Sequence, residues 1–155
     1  PDGDVTVVEF YDYNCGYCKK ALSDVTTLIE EDKNVKVVFV EMPILGRSSE
    51  VAARWAMAAD KQDKFLPYHI GLMQNRGPIT EDALEKIANN AGLDVAQMRK
   101  DIEAPEISSL IAEKTSKASA MGITGTPAFV IDGRLYGGYI GLDAMRLAVK
   151  EARGS

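Results

Sequence analysis

Val5-Thr6-Val7-Val8-Glu9-Phe10-Tyr11-Asp12-Tyr13-Asn14-Cys15-Gly16-Tyr17-Cys18 runs from an apolar stretch straight into a Cys-x-x-Cys pair. Val5, Val7 and Tyr11 fall on one face of an extended chain and Val8 and Phe10 on the other. That pattern predicts a parallel strand buried on both sides. From Cys15 to about Glu31 the residues Cys18, Leu22, Val25 and Ile29 recur at helical spacing, so a helix is expected to open at the cysteine pair. Val35 to Met42, rich in valine, predicts a second buried strand. The three pieces make a βαβ unit with a right-handed crossover.

Beyond this unit the periodicity changes. From Ser48 to Gly122 the pattern is helical, with Val51, Ala52, Trp55, Ala56 and Ala59 forming one apolar stripe. Thr80 is placed to cap a helix, with Ile79 and Leu84 as a hydrophobic staple, and Gly92 suits its end. Asp94 with Gln97 predicts the next cap, and Pro105 suits the first turn of a longer helix ending at Gly122. The chain then returns to strands. Ala128 to Ile131 and Arg134 to Tyr136 flank Asp132-Gly133, a tight-hairpin signal. Leu142, Met145 and Val149 mark a last helix. The expected fold class is α/β: one domain over 1–155, with 48–122 a helical block inserted in it.

Composition narrows the function. The chain has 155 residues, room enough for one core, and 46% of them are hydrophobic. No run is long and apolar enough to span a membrane. A net charge of −5 with no basic stripe argues against nucleic-acid binding. Two cysteines and one histidine are too few for a disulfide framework or a four-ligand zinc site. His69 lies in an apolar helical stretch and is expected to pack or face solvent. The chain opens at Pro1 rather than Met, which reads as a processed or trimmed product.

The Cys-x-x-Cys carries the chemistry. A lone pair of this spacing also occurs in metal sites, but following a strand and opening a helix it is a redox signature. Cys15 would sit at the helix start, where unpaired N–H groups and the macrodipole favour a thiolate, the nucleophile of disulfide exchange. Cys18, one turn on, is expected to be more shielded, giving an exposed attacker and a buried resolver. Glu9, inside a strand apolar on both faces, is expected to be buried with a raised pKa and to move the proton of Cys18. Asp12, at the strand's exit, is expected to meet solvent. Thr126-Pro127, just before an apolar strand, fits either an ordinary strand start or a cis proline; spacing leaves the two open.

Glu9-Phe10-Tyr11-Asp12-Tyr13-Asn14-Cys15-Gly16-Tyr17-Cys18-Lys19 and Gly122-Ile123-Thr124-Gly125-Thr126-Pro127-Ala128-Phe129 resemble the bacterial DsbA-like thiol–disulfide oxidoreductases, including the ScsC-type branch. The resemblance implies a thioredoxin-like fold with an inserted helical subdomain. It implies a cis bond before Pro127, facing Cys15, with Thr126 offering backbone contacts to substrate. It also implies a buried glutamate at Glu9. Gly16 and Tyr17, between the cysteines, join Thr126 and Pro127 as expected substrate contacts. Gly-Tyr between the cysteines and Thr before the proline depart from the best-known oxidases.

The expected activity is therefore disulfide exchange with unfolded or partly folded exported proteins, with donation of disulfides the leading direction. The resemblance further implies a bacterial periplasm and a membrane redox partner. No organic cofactor, metal, nucleic acid or membrane insertion is expected. A disulfide isomerase or reductase of the ScsC/DsbC type is the alternative. A soft-metal module holding Cu(I) on the two thiolates is a third.

Overall fold

Four strands and seven helices appear in the computed structural model, which describes residues 3–154. Pro1, Asp2 and Ser155, and with them the outermost limits of the expected 1–155 domain, lie outside the described residues.

The sheet runs β2-β1-β3-β4. β1 (Val5–Tyr11) lies inside it, parallel to β2 (Val35–Glu41) and antiparallel to β3 (Ala128–Ile131). β4 (Arg134–Gly137) closes the far edge through a hairpin. Asp132 and Gly133 take φ of 51° and 80°, the left-handed pair that a two-residue hairpin turn needs.

β2 departs from the sequence reading. It was expected to be a buried strand, yet Lys36, Val37, Val38 and Phe39 are only half-buried. Among the described residues its outer edge has no strand neighbour, so its valines meet the core on fewer sides than those of β1.

One face of the sheet is covered by α1 (Gly16–Glu31) and α7 (Leu142–Ala152), whose Val25, Leu28, Met145 and Val149 meet Val5, Val7, Phe129 and Ile131. The other face carries Phe10, Val40 and Ala128 against Ala118 and Ile123, at the end of α6 (Pro105–Ala120). Between β2 and β3 the chain forms α2 (Arg47–Lys61), α3 (Phe65–Met73), α4 (Glu81–Asn90), α5 (Val95–Asp101) and α6. Local chemistry sets these starts. The Thr80 hydroxyl accepts the Ala83 N–H at 3.1 Å, Asp94 accepts that of Gln97 at 3.1 Å, and Pro105 opens α6. Trp55, Tyr68, Leu72, Leu84 and Met98 from this block share one apolar cluster with Tyr11, Tyr13, Cys15 and Cys18. The cysteine pair thus lies where the sheet, α1 and the helical block meet.

Candidate functional site

β1 ends at Tyr11, and the chain turns through Asp12–Cys15, closed by the Cys15 N–H donating to the Asp12 carbonyl at 3.0 Å. Cys15 is the N-cap of α1, in extended conformation. Its Sγ accepts the Cys18 N–H at 3.1 Å, the task a serine or threonine oxygen performs at other helix starts. The same thiol donates to the Thr126 carbonyl at 3.4 Å. A hydrogen bond from the Cys18 thiol is the main force holding Cys15 down at about 6, and it outweighs the opposing burial. The Thr126 side chain and the Cys18 N–H add to it. Cys18 is pushed well above the ordinary thiol range, first by that hydrogen bond and then by burial.

Cys18 is buried as the sequence suggested, but Cys15 is more covered than expected. Cys15 keeps 7% of its surface and Cys18 1%. The order matches an accessible and a shielded thiol, but Cys15 is not the open attacker expected. The loop at Thr126 comes from far along the chain to cover it, which local spacing cannot reveal.

The Thr126–Pro127 peptide is cis, and the Pro127 carbonyl accepts the Gly138 N–H at 2.9 Å. Gly16 borders open space: an added Cβ there would meet no atom within 4 Å. Tyr17 is 62% exposed, with its ring centroid 6.1 Å from that of Tyr139, over which Lys20 lies at 4.8 Å. Cys15, Gly16, Thr126 and Pro127 therefore gather at one place, with Tyr17 at its open rim.

Glu9 is 2% exposed and pairs in register with Phe39 and Phe129. Residues opposite one another in a sheet share a face, so its carboxyl points to the α1 side among aromatic rings. Burial, and secondly the negative charge of Cys15, push it up to about 8. Asp12 corrects the sequence reading, which placed it in solvent: it is 1% exposed. Its Oδ1 accepts the Asn14 N–H at 2.8 Å and the Ser49 hydroxyl at 2.6 Å. Its Oδ2 accepts the N–H groups of Ile44 and Leu45 at 2.8 and 2.9 Å. The carboxylate ties the turn before Cys15 to the β2–α2 loop and to α2.

A second buried polar group escaped the sequence reading. Glu41 pairs in register with Tyr11 and accepts hydrogen bonds from the hydroxyls of Tyr11 and Tyr13. Burial pushes Glu41 up to about 8 against those two bonds. Tyr13 Oη lies 2.7 Å from His69 Nδ1, so the chain continues into α3, where burial holds His69 down at about 3. His69 is fully packed, stacked on Phe65 at 5.2 Å. A glutamate closing a valine-rich strand, opposite two tyrosines spaced for one face, was the available signal.

Among the described residues no group of three or more His, Cys, Asp or Glu side chains is placed to hold a metal ion. Cys15 and Cys18, free thiols in this structure, are the one pair of soft donors at the site. Among the described residues no helix is long and apolar enough to cross a membrane.

The comparisons with known proteins point the same way. A family model described as DSBA-like thioredoxin domain matches residues 6–150. The Na(+)/H(+) antiporter NhaA 1 of Salinispora arenicola is 31% identical over 96% of this chain, but the chain spans only 23% of that protein. A Bacillus cereus protein named probable disulfide bond formation protein D is also 31% identical, over 86% of this chain and 68% of its own length. Among solved structures, a thioredoxin-like oxidoreductase from Silicibacter pomeroyi superposes with a TM-score of 0.95 at 43% identity, covering 100% of this chain and 90% of that one. The thiol-disulfide exchange protein alpha-DsbA2 of Wolbachia pipientis gives 0.91 at 29% identity, covering 96% and 82%. A periplasmic thioredoxin-like protein from Salmonella enterica serovar Typhimurium gives 0.83 at 31% identity, covering 99% and 86%.

Proposed function

This chain belongs to the DSBA-like thioredoxin domain family, and from that premise we propose that it is a protein thiol–disulfide oxidoreductase that donates disulfides through Cys15 and Cys18. In the oxidised chain a substrate thiolate attacks Cys15 Sγ. The Cys15–Cys18 bond breaks, a mixed disulfide forms on Cys15, and the electron pair leaves on Cys18, which takes up a proton. A second substrate thiolate then attacks the substrate sulfur of the mixed disulfide and releases Cys15 as a thiolate. The substrate loses two electrons and the chain gains them. A redox partner must remove them again, and the family resemblance makes that partner a membrane protein.

One observation carries the direction. Cys15 accepts the Cys18 N–H at 3.1 Å and is held at about 6 by the Cys18 thiol. A thiolate stabilised this way favours the reduced pair, so the disulfide form is the stronger oxidant. Glu9 is the proton reservoir for Cys18, and Thr126, Pro127, Gly16 and Tyr17 border the substrate. The substrates are unfolded or partly folded exported proteins, in keeping with the periplasmic likeness from Salmonella. In this reading 48–122 is an inserted block within one domain.

Equilibration of the pair with glutathione tests the direction. A potential more oxidising than about −200 mV supports donation, whereas one near about −270 mV would make the chain a reductase. An intermediate value with efficient reshuffling of scrambled disulfides would favour the isomerase alternative.

A further inference from the structure

α1 has two open sides at its cysteine end. One is the tyrosine-lined rim at Tyr17 and Tyr139. The other is a groove of about 730 Å³ between α1 and α3. It starts at Gly16, beside Cys15, and follows α1 as far as Glu30. At the helical rise of 1.5 Å per residue this is about 21 Å, the length of roughly six residues of extended chain.

The groove is graded in chemistry. Its floor is apolar, built by Leu22, Leu66, Ile70 and Met73. Leu66 is 36% exposed although it is large and aliphatic. Lys19 and Arg76 stand at the cysteine end and Glu30 at the far end, while Lys20 lines the groove with its ammonium over the Tyr139 ring on the rim side. Lys19 and Arg76 lie side by side on a chain whose net charge is −5. Among the described residues none of these three cations forms an ion pair with a carboxylate; the Lys19 ammonium donates instead to the Asn75 carbonyl at 2.5 Å. Burial, and the charge of Arg76 beside it, lower the Lys19 pKa. Unpaired like charges held close together repel one another and favour an anion brought between them.

From this charge pattern we infer that the groove seats an extended segment of the disulfide-exchange partner, with acidic residues next to its reactive cysteine and apolar residues leading away along α1. The inference rests on the exchange reading above. Continuity with the reaction site fixes the register. A cysteine bonded to Cys15 sets its neighbours at Lys19 and Arg76, and the following residues over Leu22, Leu66 and Ile70. Glu30 disfavours acidic residues at the far end. The cationic end chooses by charge and the floor holds by burial, at about 25 cal/mol per Å² of apolar surface covered.

Peptides of eight residues, each with one cysteine activated as the thiopyridyl disulfide, test this on the reduced full chain by release of thiopyridone. One carries two glutamates beside the cysteine and the other two lysines. Each rate is divided by that of the same peptide with 2-mercaptoethanol, which removes intrinsic reactivity. The acidic peptide should react about 10-fold faster at low salt, and the preference should fall below about 2-fold at 0.5 M salt. Arg76→Glu should reverse the preference, and Arg76→Gln should reduce it. Leu66→Ser should slow peptides with a leucine tail more than those with a serine tail.

Equal normalised rates for the two peptides, or a preference unchanged in Arg76→Glu, would overturn the inference. So would a salt-sensitive dimer in sedimentation without peptide preference, which would seat a second copy in the groove. Neutral hydroxyethyl disulfide separates the two levels. Exchange with it but no peptide preference defeats only the groove, whereas no exchange with it or with either peptide defeats the function on which the groove depends.

Discussion

Asp12 and Glu9 are buried carboxyls three residues apart on one segment, and their surroundings differ in kind. Asp12 accepts four hydrogen bonds, three from backbone N–H groups and one from Ser49. Glu9 lies among Phe39 and Phe129, and burial pushes it up to about 8. Donors convert a buried charge into a fixed point of the structure, whereas burial in apolar surroundings leaves a carboxyl ready to exchange its proton near neutral pH. The turn at Asp12 thus ties down the approach to Cys15, and the strand at Glu9 carries the carboxyl proposed above as the proton reservoir of Cys18.

Removing the fixed point should have the largest effect. Asp12→Ala leaves the N–H groups of Asn14, Ile44 and Leu45 without their acceptor, and we expect a loss of about 3 kcal/mol in urea unfolding. A loss under about 0.5 kcal/mol would mean that the turn does not depend on this carboxylate.

Removing the proposed proton carrier should act on rate instead. Glu9→Gln should slow the step in which Cys18 reacts by about 100-fold while leaving attack by Cys15 nearly unchanged. Stopped-flow measurement of the two steps separates them, and equal slowing of both would make Glu9 merely structural.

The difference between the two carboxyls also shows in the pH dependence of stability. A carboxyl whose folded pKa is raised keeps its proton in the folded chain after the unfolded chain has lost it. Glu9 therefore destabilises progressively as pH rises from about 4.5 to about 8. In the oxidised chain, where neither thiol titrates, the stability advantage of Glu9→Gln over the parent should grow from about pH 4.5 upward and level off below about 8, because the Cys15 charge no longer adds to burial. The slope should approach about 1.4 kcal/mol per pH unit. Glu41 is common to both proteins and cancels. An advantage that shrinks with pH would mean that Glu9 is ionised in the fold.

The two carboxyls were unequally legible in the sequence. Glu9 was readable because a strand with apolar residues on both faces leaves a glutamate nowhere to go. Asp12 was misread because its donors, the N–H groups of Ile44 and Leu45 and the Ser49 hydroxyl, come from the β2–α2 loop and from α2, which local pattern does not connect to it. The same division holds elsewhere. The caps at Thr80 and Asp94, the Pro105 start and the Asp132-Gly133 turn depend on residues within one turn of each other, and the structure places them as the sequence suggests. The covering of Cys15 by Thr126 and the Glu41–Tyr13–His69 chain depend on strand pairing and on α3 docking. Neither leaves a periodic trace.

The proposed exchange depends on the two cysteines having opposite acidities one helical turn apart. Alkylation of the reduced chain between pH 4 and 10, with each cysteine followed by mass spectrometry, tests that directly. Cys15 should label with a midpoint at about 6 while Cys18 stays unreacted through neutral pH. A midpoint for Cys15 near the ordinary thiol value of 9.0, or faster labelling of Cys18 than of Cys15, would contradict it.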